Sequence, residues 1–167
     1  MNRPMKDENG KFIKYVMEGH LQYPSLNRPN TKFNKQGVYE TYLCPIDKKE
    51  ISQANDMKIK TKEWEDAGVS MCVYFSQYTR RKDGTENRKP DVITEDGKPF
   101  QFNDNGRDVI IGNGTRAKIQ YYISQINNSY GTFTKYLINK VKILDLVEYT
   151  PENNSDPTEV NEENLDF

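Results

Sequence analysis

Apolar and polar residues alternate through most of this chain, and helical spacing is scarce. FIKYVMEGHLQY, Phe12 to Tyr23, predicts a first, irregular strand that ends at Pro24, followed by the polar loop NRPNTKFNKQG with Pro29 and Gly37. GVYETYLCP predicts a second strand ending at Pro45. Side chains alternate along a strand, so Tyr39, Thr41 and Leu43 share one face and Val38, Glu40 and Tyr42 the other. Val69 to Thr79 is the clearest strand, with Met71, Val73 and Phe75 alternating with Cys72, Tyr74 and Ser76. RRKDGTENRK then reads as a hairpin turn around Asp83-Gly84. A short strand from Asp91 to Thr94 leads to an Asp96-Gly97 turn. Arg116 to Ile126 puts Arg116, Lys118, Gln120 and Tyr122 on one face and points Ala117, Ile119, Tyr121 and Ile123 at the core. TFTKYLINKVKILDLVEY predicts a long last strand whose alternation slips near Lys140, as at a β-bulge. Between the second and third strands, Ile51, Met57, Ile59, Trp64 and Ala67 are apolar points among many charges, which allows a short helix or two.

Five or more short strands in one all-β chain need closure or packing to hide their edges. The predicted class is therefore all-β: a five-stranded OB-fold barrel with a short helical or irregular insertion. Such barrels bind single strands on an open face. Residues 1–150 form the predicted domain and residues 151–167 a disordered acidic tail, with Pro151 and Pro157 breaking structure.

Composition narrows this further. Leu, Ile, Val and Phe make up only 35 of 167 residues, too few for a large many-layered α/β core. Eleven tyrosines compensate, since each can bury a ring and keep its hydroxyl wet. No apolar run approaches the roughly 20 residues of a membrane helix. The first residues, MNRPMKDENGK, hold no apolar h-region, so no secretory signal and no membrane partner are expected. Cys44 and Cys72 lie 28 apart and are expected to be two reduced, half-buried thiols.

Charge changes the picture most. The formal net charge is −1, from 24 basic and 25 acidic side chains. Six of the acids lie in residues 151–167, which hold no Lys or Arg. The remaining 19 acids face all 24 bases, so the body carries +5 and the tail −6. A basic body with an acidic tail points to a polyanionic partner.

Enzyme chemistry finds little support. His20 is the only histidine, and with Cys44 and Cys72 it offers no zinc spacing, so no metal and no cofactor are expected. GNGTRA, Gly112 to Ala117, matches G-x-G-x-x-A but precedes a strand, so no helix N-terminus points at a phosphate and a tight turn is the better reading. No carboxylate pair stands out for acid–base work. Basic and aromatic residues form a clearer pattern. Arg80, Arg81, Lys82, Arg88 and Lys89 surround one hairpin, and Tyr74 and Tyr78 lead into it on one face. Arg116, Lys118 and Tyr122 alternate on another strand, and Lys32, Phe33 and Lys35 occupy a loop. Rings beside cations suit a single strand, because bases stack on aromatics while Lys and Arg track phosphates. Lys32, Lys35, Arg80, Arg81, Lys82, Arg88, Arg116 and Lys118 are the candidate phosphate contacts. Tyr74, Tyr78 and Tyr122 are the candidate stacking rings. The tail ends in Leu165, Asp166 and Phe167, an apolar tip that suits either the basic groove in cis or a partner's basic pocket.

In order, these stretches resemble the single-stranded DNA-binding proteins of tailed bacteriophages, of the podovirus replication type. The resemblance is carried by GHLQYPSLNRPNTKFNKQGVYETYLCP, VYFSQYTRRKDGTENRKPDVITEDGKP, VIIGNGTRAKIQYYIS with KVKILDLVEY, and the acidic tail ending in Asp166-Phe167. It covers most of the chain, and its specificity lies in the order of the stretches. It implies an OB-fold that coats and protects single-stranded DNA without sequence preference, in replication or recombination in the cytoplasm of the infected bacterial host. It also implies tail contacts with phage replisome proteins (DNA polymerase, helicase/primase) and often a homodimer. Lys32, Lys35, Arg80 and Arg81 match the family's phosphate-contacting regions, and Phe167 its terminal aromatic. Ile46 to Gly68 departs from the family, whose members carry a longer helix there, so no dimer contact built on that helix is carried over. Two other functions fit the residues alone: a protein-interaction β-module, as in a virion or host-takeover factor, and an RNA-binding OB module.

Overall fold

The computed structural model describes residues 3–4, 6, 8–32, 35–46, 48–56, 61–64, 69–81 and 83–149. Its elements run in the order β1 (Arg3–Pro4), β2 (Tyr15–Asn30), β3 (Val38–Pro45), α1 (Lys48–Asp56), β4 (Thr61–Trp64), β5 (Val69–Tyr78), β6 (Asp91–Ile93), β7 (Asn103–Asp104), β8 (Arg107–Asp108), β9 (Ile110–Ile111), β10 (Arg116–Asn128), β11 (Gly131–Asp145) and β12 (Glu148–Tyr149). Five of these close a barrel. β2, β3 and β5 form an antiparallel meander. β11 then lies parallel to β5, β10 pairs antiparallel with β11, and β10 returns to β2. This is the five-stranded OB-fold barrel expected from the alternation, with one short helix inserted between β3 and β5. No helix among the described residues is long and apolar enough to cross a membrane.

The inward positions are those the alternation marks. Leu43, Val73, Phe75, Ala117 and Ile119 are fully buried, with Met17, Tyr121, Ile123, Tyr136 and Ile138 beside them. Burying each large apolar side chain contributes roughly 1.5–3 kcal/mol. Phe75, Tyr121 and Tyr136 form an aromatic centre with ring centroids 4.5–5.2 Å apart. Burial pushes both of its phenols up, Tyr136 to about 12, so they stay protonated and neutral in the core. Phe100 and Phe102, from the excursion between β6 and β9, pack against this cluster.

Close approach explains one glycine. A Cβ on Gly19 would sit 2.9 Å from the Pro45 Cα and closer still to the Cys44 carbonyl, so only glycine lets β2 and β3 meet there. Gly114, at φ +90°, makes the turn before β10, and its amide donates to the Leu21 carbonyl at 2.8 Å. GNGTRA is therefore a strand-entry turn.

Two expectations change. β2 does not end at Pro24 but continues to Asn30. Gln22 pairs with Tyr42 and Ser25 with Glu40, so β2 spends one extra residue around Tyr23-Pro24. A bulge tolerates a proline, whose missing N–H needs no ladder partner. Part of the predicted polar loop is thus strand. Cys44 and Cys72 are not two separate thiols either: they meet across β3 and β5 as a disulfide, with Cα atoms 4.1 Å apart. The alternation of the two strands brings them side by side, which their 28-residue separation conceals. The slip near Lys140 lies where expected: Gln120 pairs with Lys140 and Tyr121 with Ile138, leaving Asn139 as the extra residue. The Trp64 side chain lies outside the described residues.

Candidate nucleic-acid interface

The outer face of the barrel is legible from register. Glu40 on β3 pairs with Ser76 on β5, Ser76 with Leu137 on β11, and Leu137 with Tyr122 on β10. These four side chains form one outward row across four strands. One step along β3 and β5, Tyr42 and Tyr74 lie opposite each other with ring centroids 5.0 Å apart. Tyr78 lies further along the same face of β5 and is 41% exposed. Tyr42, Tyr74 and Tyr78 therefore share the outer surface of β3 and β5, whereas Tyr122 faces outward from β10, two strands further round the closed barrel.

Glu40 organises the centre of this surface. The Tyr74 hydroxyl donates to it at 2.6 Å, and the Asn30 amide donates to its other oxygen at 2.8 Å. Asn30 in turn accepts from the Lys32 backbone amide at 2.9 Å. Burial first, then the bond to Glu40, push the Tyr74 phenol far above the usual tyrosine range, so it stays a donor. The chain of bonds fixes the Tyr74 ring and links it to the loop that carries Lys32.

That loop is tied to the hairpin. The Thr79 amide donates to the Gly37 carbonyl at 3.3 Å and its hydroxyl to the Gln36 carbonyl at 2.5 Å. Lys32 and Lys35 are thus held at the root of the hairpin that carries Arg80 and Arg81. Hairpin geometry follows from Asp83-Gly84: Gly84, at φ +88°, donates to the Arg81 carbonyl, and the Thr85 hydroxyl and amide hold the Asp83 carboxyl below its usual range. Arg80 and Arg81 reach backbone carbonyls of the same hairpin, on Gly84 at 3.2 Å and Glu86 at 3.5 Å. Both are exposed. Lys82 lies outside the described residues.

The other described cations of the predicted set lie against acids. Arg88 pairs with Asp91 and donates to the Asn139 side chain at 3.0 Å. Arg116 donates through Nε to Glu18 at 2.8 Å, and Lys118 lies 4.0 Å from the same carboxylate. Register explains this, since Lys118 is the direct partner of Glu18 across β10 and β2.

Several residues were missed. Lys135 sits with its ammonium 4.9 Å from the Tyr78 ring centroid and 3.3 Å from its hydroxyl. Phe12 meets Tyr122 edge-on at 5.8 Å, with the Lys6 ammonium 5.0 Å from the Phe12 ring. Tyr130, 88% exposed, crowns the turn between β10 and β11. Strand parity already grouped Tyr42 on one face with Glu40, without naming that face as the outer one. Lys135 and Phe12 gave no comparable signal, since their partners come from other strands or a distant segment. Asp166 and Phe167 lie outside the described residues.

Loops around an OB barrel and the face of its second and third strands are where such folds take oligonucleotides and oligosaccharides. Tyr42 and Tyr74 lie on the outer face of the second and third barrel strands and Lys32 in the loop between the first and second, with the basic hairpin tied to that loop, which makes the class an OB-fold with rings and cations on that side. Solved structures of two phage proteins share the fold. One is gp2.5, a single-stranded DNA-binding protein encoded by bacteriophage T7: 14% identity, TM-score 0.54, covering 87% of this chain and 97% of that one. The other is the single-stranded DNA-binding protein of bacteriophage Enc34: 14% identity, TM-score 0.56, covering 96% of this chain and 98% of that one. The Enc34 protein in complex with single-stranded DNA matches equally well, at TM-score 0.56 over 88% of this chain and 97% of that one. No family model and no curated sequence matches the chain. The fold is thus that of the phage single-stranded DNA-binding proteins the sequence resembles.

Proposed function

We propose that this protein binds single-stranded DNA without sequence preference and coats it during phage replication or recombination. The observation that carries the reading is the joining of Tyr42, Tyr74 and Tyr78 to the Lys32–Lys35 loop and the Arg80–Arg81 hairpin on one outer face of an OB barrel. Rings supply stacking that any base accepts, and the cations supply phosphate attraction that carries no sequence information. The likeness in fold to two phage single-stranded DNA-binding proteins supports the single-stranded DNA part of it. Residues 151–167 act as a tethered competitor of charge −6, and DNA binding releases their Asp166-Phe167 tip to a replisome partner.

A gel shift with single-stranded DNA, duplex DNA and RNA side by side tests the reading. Single-stranded DNA binds tightest on this reading. With Lys32, Lys35, Arg80, Arg81 and Lys135 neutralising about five phosphates, log K falls against log salt with a slope near −3.5, about −0.7 per contact. Preference for RNA moves the function to an RNA-binding module, and absence of binding to all three moves it to a protein-interaction module. Removal of residues 151–167 tightens DNA binding, and weaker binding by the truncated chain refutes the competitor role.

A further inference from the structure

Beside this face lies a cavity of about 190 Å³ that the stacking surface does not use. Its walls are the buried Leu26, Val109 and Ile111 and the half-buried ring of Phe102. Asn27, Arg28 and Asp108 edge it. Pockets for whole drug-sized ligands begin at roughly 300 Å³, whereas an apolar cavity of about 150 Å³ takes benzene. The size therefore suits one planar ring system.

We propose that this cavity takes a single base turned out of the bound strand, which rests on the single-stranded DNA reading above. Three observations select that occupant. First, the cavity continues the basic hairpin: the Lys89 ammonium donates to Asn27 at 3.1 Å and lies 5.8 Å from the Phe102 ring. A backbone leaving Arg80 and Arg81 thus meets a cation at the cavity wall. Second, charge at the edge fits a nucleotide. Arg28 is 79% exposed and, among the described residues, pairs with Asp108 at 3.4 Å, a surface contact weak enough for it to turn to a phosphate. The Asp108 carboxylate is left to accept from a base edge. Third, the backbone is strained beside it. Tyr23 sits at φ 51°, unusual for a bulky residue, and its amide is fixed by the Asn113 side chain at 2.6 Å. This is the bulge that bends β2 as it enters the cavity wall at Pro24, and bulges of this kind re-aim strands next to binding sites.

Fluorescence anisotropy with oligothymidylates of increasing length tests the assignment, comparing wild type with Ile110→Glu. Ile110 edges the cavity with its side chain 41% exposed, so a carboxylate there obstructs a base and spares the core. Short oligomers confined to the tyrosine face bind both proteins alike, which also shows that the variant is folded. Oligomers long enough to reach the cavity lose about tenfold in affinity for the variant, as for one lost stacked base. Photo-crosslinking of wild type with 5-iododeoxyuridine oligomers attaches the base to the peptide that carries Phe102. Equal affinities at every length, or crosslinks confined to the tyrosine face, overturn the cavity alone. A wild type that binds no oligomer overturns the parent reading and the cavity together.

Discussion

Arg80 and Arg81 on the hairpin and Arg116 and Lys118 on β10 are the same residue types on one barrel, yet their charges stand differently. The hairpin arginines hydrogen-bond only carbonyl oxygens in their described bonds, and although Arg81 lies in the field of the Asp83 carboxylate, neither forms an ion pair among the described residues. Arg116 and Lys118 flank Glu18, which holds one in a charge-assisted hydrogen bond and lies 4.0 Å from the other. A count of basic residues treats both regions as equal binding equipment. Register separates them, because an acid on the neighbouring strand offsets part of the local field that a phosphate would feel.

The sharpest way to break this comparison is to delete the hairpin charge. The double variant Arg80→Ala, Arg81→Ala is expected to weaken single-stranded DNA binding at least tenfold at low salt. The salt slope then shallows by about 1.4, from two lost phosphate contacts. Titrations over a salt series read both quantities, and an unchanged slope contradicts the assignment. Tyr78→Ala follows in size. It removes an exposed ring and the seat of Lys135, and a stacked base is worth roughly 1–3 kcal/mol, so affinity falls about tenfold. Here the slope hardly changes, since the phosphate contacts remain. A steep slope change would show that Lys135 acts through its charge alone.

The seam offers the converse manipulation. Glu18→Gln leaves Arg116 and Lys118 without their carboxylate and turns the β2–β10 face basic. Binding is expected to tighten two- to threefold, with a steeper salt slope, while thermal unfolding shows a loss of at most about 1 kcal/mol for a partly exposed ion pair. No gain in binding would place β10 away from the path of the strand. It would leave the hairpin side as the whole electrostatic footprint.

How this difference escapes a reading of the sequence is instructive. The parity of β3, β5 and β10 was legible residue by residue, because apolar and polar positions alternate cleanly there. Ala117 and Ile119 point inward as expected, and Thr41 with Leu43 on β3 and Val73 with Phe75 on β5 keep the shared faces that the alternation grouped, both of them buried. The bulge at Asn139 was also visible, as a slip in that same alternation. Pairing between strands was not visible. Glu18 lies 98 residues from Arg116, and nothing local to either announces the other. The Cys44–Cys72 disulfide was hidden for the same reason. Pro24 misled in the opposite direction: proline ordinarily ends a strand, but at a bulge the ladder asks for no donor, so β2 runs on to Asn30. Arg88 and Asp91 show the boundary case. They lie three residues apart and pair directly, so their mutual neutralisation was within reach of the sequence.

The smallest expected effect is also the most discriminating. Arg116→Ala removes a cation as formally available as Arg80, but one whose charge is already answered. Glu18 then keeps Lys118 as its remaining neighbour, so the local net charge moves from one excess cation to none. The field at a phosphate tracking the hairpin side barely changes, because exposed charges more than about 10 Å apart are screened at ordinary ionic strength. Affinity for single-stranded DNA is expected to stay within twofold of wild type, with the salt slope unaltered. Stability falls by no more than about 1 kcal/mol, the ceiling for an exposed pair. Measured beside Arg80→Ala in one salt series, the two arginines should separate clearly. If Arg116→Ala costs as much as Arg80→Ala, pairing with Glu18 does not withdraw a cation from the site. The strand then crosses β10 as well, displacing Glu18 from its partners as it binds.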